Sequence, residues 1–295
     1  ISENKGLKAA IKSLHNRKHI VALKAEDGTI IRDRNKIVER CAEFYSKLYS
    51  SKCARPISQR SLDNVKPVLV SEVELAMHKA PGEDAIVVEI LKEGGHTVAK
   101  HLARLFTSCI VNRTVPVTWN KAIIVLLHKK GDIKDINNYR PISLISHTSK
   151  LFSRVLLNRI ERNLDDNHGR EQAGFRKGFS TTDHLHVISQ LVEKCSEFSI
   201  PLCLTFVDYE KAFDSVEHLS VIDAIGNHGV ATEYTELLTT IYNSATSKIR
   251  LDRDSKDFRI ERGVRQGDTI SPKLFNAALE HVFRQLDWEH VGVVV

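Results

Sequence analysis

One carboxylate in this sequence sits where it needs a chemical reason. In "CLTFVDYEKAFDSVEH" (203–218) an apolar run ends directly on Asp208, and Glu210, Lys211, Phe213 and Asp214 follow within six positions. Read as a strand over 201–208, the segment alternates its side chains and sets Leu202, Leu204, Phe206 and Asp208 on one face. A carboxylate beside three apolar side chains is partly desolvated and calls for a cation. If the cation is a metal, a second carboxylate must stand close and the substrate must be rich in phosphate. The ordinary alternative is an Asp that caps the turn after the strand. Asp214 before Ser215 reads as a helix cap, and Glu210 as solvent-facing.

Two further stretches carry groups suited to phosphate and nucleotide. In "RGVRQGDTISPKLFNAAL" (262–279), Gly263 and Gly267 remove side chains where backbone must come close to something. Gln266 offers an amide to a base or sugar, and Ser271-Pro272 opens a helix. In "LLHKKGDIKDINNYRPISL" (126–144), Lys129, Lys130 and Arg140 surround short strands and supply cations that can hold a triphosphate. His184 and His186, two apart in a helix, do not share a face and make a poor metal pair.

The elements that must position these groups alternate between helix and strand. Asp27-Gly28 between short runs signals a hairpin, and Ile37, Cys41, Phe44, Tyr45 and Leu48 recur at helical spacing over 35–50. The polar stretch 51–66 reads as a linker. Ser71 with Glu74 makes a capping box for a helix to Lys79. Helices follow at 86–93 and at 97–112, the latter with Val98, Leu102, Leu105, Phe106 and Cys109 as its stripe. "AIIVLLH" reads as a buried strand. Helices are expected at 148–165 and 181–198, a helix pair at 216–243, a hairpin at 247–261 around Asp254-Ser255, and a last helix at 271–286. The stripe Leu274, Phe275, Ala278, Leu279, Val282 and Phe283 reads as core. The class is α+β, with strands too spread out for a βαβ series.

The 295 residues, 42% apolar and 27% charged, have the balance of a folded domain and can bury a large core. No apolar run approaches the roughly 20 residues that cross a bilayer, and "ISENKGLKAA" lacks a signal-peptide core. An intracellular setting is the default expectation. Five scattered cysteines without a C-x-x-C pair speak against a disulfide framework or zinc knuckle. The net charge of +6 is clustered in "HNRKH" (15–19), "HKKGD" (128–132) and "GFRKGF" (174–179), which attract phosphates. The single methionine, Met77, and the apolar ending "VGVVV" read as a fragment at both ends.

Taken in order, "KAPGEDAI" (79–86), "LLHKKGD" (126–132), "NNYRPISL" (137–144), "EQAGFRKGFSTTDHL" (171–185), "FVDYEKAFDSV" (206–216) and "GVRQGDTISPKLF" (263–275) resemble the reverse transcriptase of non-long-terminal-repeat retrotransposons, of the endonuclease-bearing type. The resemblance covers about 70–295. It implies a right-hand polymerase that copies RNA into DNA. The expected layout is an N-terminal segment and linker over 1–69, fingers over 70–200 and a partial palm over 201–295, stopping before the catalytic hairpin and thumb. The partners implied are an RNA template, a DNA primer and deoxynucleoside triphosphates, with no membrane; oligomeric state is open, and chromosomal priming implies the nucleus.

The resemblance also implies Mg²⁺, with two ions about 3.5–4 Å apart held by carboxylates for in-line attack of a primer hydroxyl. Asp208 is then the first catalytic ligand, with the Tyr209 carbonyl beside it. Phe213 matches the residue that excludes a ribose 2′-hydroxyl. Arg140, with Lys129 or Lys130, holds the triphosphate, and Gln266 and Gly267 line the nucleotide pocket. Arg176, Lys177 and Arg265 are expected on the nucleic acid. The family's second motif, an aromatic-alanine-Asp-Asp turn, is expected after "WEHVGVVV". Ala85 stands where the family usually has glycine, and Phe179 where it usually has arginine. Two other classes stay open, a non-catalytic nucleic-acid-binding remnant and a metal-dependent nuclease, the latter requiring several acids in one pocket.

Overall fold

The structure is a computed structural model that describes residues 20–57, 65–77, 91, 93–169 and 171–286. The stretch "KAPGEDAI" with Ala85, the helix expected at 86–93, the basic cluster at 15–19 and the final "WEHVGVVV" lie outside these residues, wholly or in their greater part.

The chain opens with the expected hairpin. Strands β1 (Leu23–Lys24) and β2 (Ile30–Ile31) pair antiparallel, and Gly28 takes φ +84° at the turn. Helix α1 (Arg34–Leu48) starts where Asp33 accepts the Lys36 amide through its side chain. Its buried face is Ile37, Val38, Cys41 and Tyr45, as the helical spacing requires. Helix α2 (Val70–Met77) departs from expectation, because the side chain that caps it is Glu72, accepting from the Leu69 amide at 2.8 Å. Ser71 lies inside the helix instead of ahead of it. Helix α3 (Gly95–Asn112) buries Ala99, Leu102, Ala103, Phe106, Cys109 and Ile110, while Leu105 turns outward.

A four-stranded sheet holds the middle of the molecule, in the order β4-β3-β5-β6. Strand β3 (Lys121–His128) pairs antiparallel with β4 (Tyr139–Leu144), with Leu127 opposite Arg140. It pairs parallel with β5 (Thr246–Ile249), which turns back antiparallel into β6 (Phe258–Arg259). Between these strands come α4 (His147–Asp166), α5 (Thr181–Glu197), the single turn α6 (Ala212–Ser215), α7 (His218–Asn227) and α8 (Thr232–Asn243); α9 (Ser271–Phe283) follows, with Pro272 in its first turn. The α+β expectation is met.

Two apolar clusters form the interior. The larger gathers α2, α3, α4, α7, α8 and α9 around Phe106, Trp119, Phe152, Ile225 and Leu274. The smaller lays α1 against the sheet through Ile37, Tyr45, Ile124, Tyr139 and Ile249. Each cluster draws on residues before and after position 200.

The strand expected at 201–208 is not found: among the described residues, 201–209 pairs with neither sheet. A strand exists only through a neighbour's ladder of hydrogen bonds, and no described segment offers that ladder. Phe206 and Val207 are 82% and 71% exposed as a result. The preceding helix α5 is likewise open, with Leu185, Ile188 and Val192 exposed at helical spacing and Cys195 its buried residue.

Candidate nucleotide and nucleic-acid site

The turn after Asp208, the loop 263–267 and β4 converge. Lys211 adopts the left-handed conformation, φ +49°, and reverses the chain into α6. The loop is sewn to that turn by backbone, with the Gly263 amide donating to the Val216 carbonyl and the Val264 amide to the Phe213 carbonyl, both at 2.7 Å. On its other side the Gln266 carbonyl accepts from the Ser143 amide of β4 at 2.8 Å. Both glycines are at close approaches, as their spacing led one to expect. A Cβ on Gly263 would lie 2.8 Å from the Asp214 carbonyl oxygen, and one on Gly267 would lie 2.9 Å from that of Ser143.

Asp214 is the buried acid of this junction, 2% exposed. It caps no helix through its side chain. Oδ1 accepts from the Tyr49 hydroxyl and Oδ2 from the Gln266 side-chain amide, each at 2.9 Å. Burial raises its carboxyl to about 6, against these hydrogen bonds and the nearby positive charges of Lys211 and Arg140. The same desolvation, with Asp214 alongside, raises the Tyr49 phenol well above its ordinary value, so it stays a donor. His218 closes the junction from below, bonded through Nε2 to the Gly263 carbonyl at 2.9 Å, and burial lowers it to about 4. It is therefore neutral at pH 7 and donates through Nε2.

Arg140 is exposed on β4, and Lys129 and Lys130 are exposed at the end of β3. Leu127 pairs with Arg140, and the Lys129 amide continues the ladder to Asn138. By alternation Lys129 shares the Arg140 face and Lys130 does not. Lys211 joins them, with Nζ 2.9 Å from the Asn137 Oδ1 and 4.5 Å over the Phe44 ring of α1.

Phe213 is half-buried. It stacks on Phe275 at 4.6 Å and meets Phe175 edge-on at 5.7 Å, so one face of the ring is core. Phe175 belongs to the basic loop 172–179 and has φ +54°. In that loop Lys177 is exposed. Arg176 is committed inward, bonded to the carbonyls of Gly169, Gln172 and Asp165, with its guanidinium 4.6 Å over the Phe179 ring. An aromatic side chain at 179 thus holds the neighbouring arginine.

Arg265, expected on the nucleic acid, is 8% exposed and donates to the carbonyls of Trp119 and Asn120 at 3.1 and 3.3 Å, so it ties the loop to the root of β3. Burial lowers its guanidinium. Its local sequence, rich in glycine and polar side chains, gave no sign of this, because the carbonyls lie about 146 residues away. Tyr49 was missed for the same reason, its partner Asp214 being 165 residues off.

Asp208 and Tyr209 stand exposed on the unpaired segment. Their carboxylate and carbonyl are hard oxygen donors of the kind Mg²⁺ takes. Among the described residues no three His, Cys, Asp or Glu side chains group as a metal site, so the donor set is right in kind and partial in number.

Residues 127–294 match the family described as reverse transcriptase (RNA-dependent DNA polymerase). The chain belongs to that family. Similar proteins include the transposon TX1 uncharacterized 149 kDa protein of Xenopus laevis, 28% identical over 95% of this chain and 23% of that protein. A probable RNA-directed DNA polymerase from transposon BS of Drosophila melanogaster is 29% identical over 72% of this chain and 24% of its own length. The Pol polyprotein of the type-1 retrotransposable element R2 of Popillia japonica is 27% identical over 75% of this chain and 31% of its own. The reverse transcriptase chain therefore spans about a quarter of the length of these relatives, and the non-long-terminal-repeat resemblance read from its motifs holds. No described helix is long and apolar enough to cross a membrane.

Proposed function

We propose that this chain forms the fingers, over 70–200, and the start of the palm, from 201, of an RNA-directed DNA polymerase from a retrotransposon, and that it selects the nucleotide and grips template and primer. The observation that carries the reading is the junction itself. The loop with Gln266 and Gly267 lies on the turn that follows Asp208 and is bonded to Ser143 of β4, three residues along the strand from the exposed Arg140, whose charge reaches Asp214. Glycine backbone, an amide and a cation meet there, which is what a nucleoside triphosphate requires.

In this reading Arg140 and Lys129 hold the triphosphate, Gln266 and Gly267 line the sugar and base, and Phe213 sets its outer edge against the 2′ position while Phe275 fixes its inner face. Lys177 contacts nucleic acid. Asp208 and the Tyr209 carbonyl would hold Mg²⁺, which when bound neutralises the triphosphate and lowers the pKa of the primer hydroxyl. The open apolar stripe of α5 and the unpaired segment 201–209 fit a palm strand, whose backbone groups await a neighbouring strand.

The test is primer extension on an RNA template by this chain joined at Val295 to the stretch that follows the matching segment in the TX1 relative, beside its Asp208→Asn variant, with template-primer affinity measured on both. Synthesis by the first, none by the second and equal affinities are expected. Failure of the joined protein to bind template-primer, or synthesis by the Asn variant, overturns the reading.

A further inference from the structure

Gln266 is not free to choose what it shows a ligand. Its Nε2 donates to Asp214, whose ionised carboxylate can only accept, so the amide cannot flip, and Oε1 with the second N–H is left for the pocket. Asp214 in turn is held by the Tyr49 hydroxyl. Tyr49 ends α1, in the segment 20–57 ahead of the residues that match the family. That segment is fastened just ahead of the loop and at the residue before α7. Arg262 Nε donates to the Leu48 carbonyl at 2.7 Å, the Glu261 amide to the Tyr49 carbonyl at 2.9 Å, and Ser51 Oγ to Glu217 at 2.6 Å.

We infer that Tyr49 and Asp214 are positioning residues that fix the Gln266 amide, so that the helix ahead of the polymerase region is a working part of the nucleotide pocket. The inference rests on Gln266 as a nucleotide contact and adds what sets its orientation. Both oxygens of Asp214 are occupied by donors, and the backbone of Gly263 touches that of Asp214, so any shift of the carboxylate reaches the loop. Removing the Tyr49 hydroxyl leaves a buried carboxylate oxygen unpaired, and the turn must move or the amide rotate. A rigid acceptor at Oε1 suits a sugar hydroxyl or a base amine and rejects a phosphate oxygen. Specificity for the sugar and base, in contrast to the triphosphate, therefore depends on Tyr49.

The experiment has two readings on the 295-residue chain bound to a template-primer duplex. The first is amide hydrogen exchange at Gly263, Val264 and Ser143 in Tyr49→Phe, with Tyr45→Phe as control, since the Tyr45 hydroxyl bonds the Tyr139 carbonyl instead. Exchange about 10-fold faster in the first and unchanged in the second is expected, the size following from one lost bond to a charged group. The second is deoxynucleoside triphosphate affinity in Tyr49→Phe, Gln266→Ala and the double variant. Each single change should weaken binding about 10-fold and the double no further, since both act through one amide. Inorganic triphosphate, which lacks sugar and base, should bind all of them equally.

Additive losses, or unchanged exchange in Tyr49→Phe, overturn the positioning role while leaving Gln266 a contact. Wild-type affinity in Gln266→Ala overturns the nucleotide reading itself, and exchange then still reports whether Tyr49 holds the loop.

Discussion

Gly263 passes so close to Asp214 that a Cβ there would sit 2.8 Å from the Asp214 carbonyl oxygen, with φ at +86°. Gly178 has the same φ of +86° but open space around it. The pair separates backbone strain from collision. Gly178→Ala should cost about 1–2 kcal/mol, from the left-handed conformation alone. Gly263→Ala should cost a further 1–3 kcal/mol or so from overpacking against backbone. Urea denaturation of the two variants checks this, and equal losses would show that the junction yields.

Asp214 gives the protein a stability term opposite in sign to its buried histidines. Its folded-state carboxyl, raised by burial from 3.8 to about 6, contributes stability that is full below 3.8 and lost as pH rises through 6, about 3 kcal/mol in all. His218 and His228, each lowered by burial from 6.5 to about 4, contribute stability that is present above 6.5 and lost as pH falls toward 4. The terms oppose each other between pH 4 and 6. Asp214→Asn removes the compensation, so its stability should drop more steeply on acidification than the wild type's. Parallel stability curves across pH 4–7 would show that Asp214 titrates normally.

Arg113 ends α3 in a left-handed conformation, and its Nε bonds Glu236 of α8 at 2.9 Å with both side chains almost fully buried. Glu236→Ala should cost about 3–5 kcal/mol, because a buried guanidinium loses its counter-charge. Replacing the pair together by Met at 113 and Leu at 236 should recover most of that. Chemical denaturation of the single and double variants gives the answer.

Salt titration of nucleic-acid binding sorts the arginines and lysines. Lys177→Gln and Lys129→Gln should each lower the slope of log affinity against log salt by roughly 0.7–0.9, the value of one phosphate contact. Arg265→Gln should leave the slope unchanged and lower the melting temperature, since its guanidinium serves the Trp119 and Asn120 carbonyls. A slope change in Arg265→Gln would mean that it swings out to the ligand.

Local signals in the sequence were enough for the elements whose stability is local. The period of Ile37, Cys41 and Tyr45, the Asp27-Gly28 turn and the Ser271-Pro272 start each specify their own structure within a few residues. The close approaches at Gly263 and Gly267 were also legible, because a missing side chain points to a neighbour without naming it. That 201–208 stays unpaired was not, since pairing depends on a partner elsewhere. Asp214 likewise read as a cap when judged by Ser215, and only the distant Tyr49 and Gln266 reveal its bonds.

The anchoring of α1 against 258–266 also has a temporal side. The bond between Leu48 and Arg262 closes a span of 214 residues. At about 5–20 residues per second of synthesis, the helix waits on the order of 10–40 s for its partner to leave the ribosome. Through that interval Ile37, Cys41 and Tyr45 have only the early strands to shelter them, and a chaperone that recognises short amphipathic helices would find this one first. Folding yield in a cell should therefore respond to changes on the inner face of α1 more strongly than the equilibrium stability of the finished protein does.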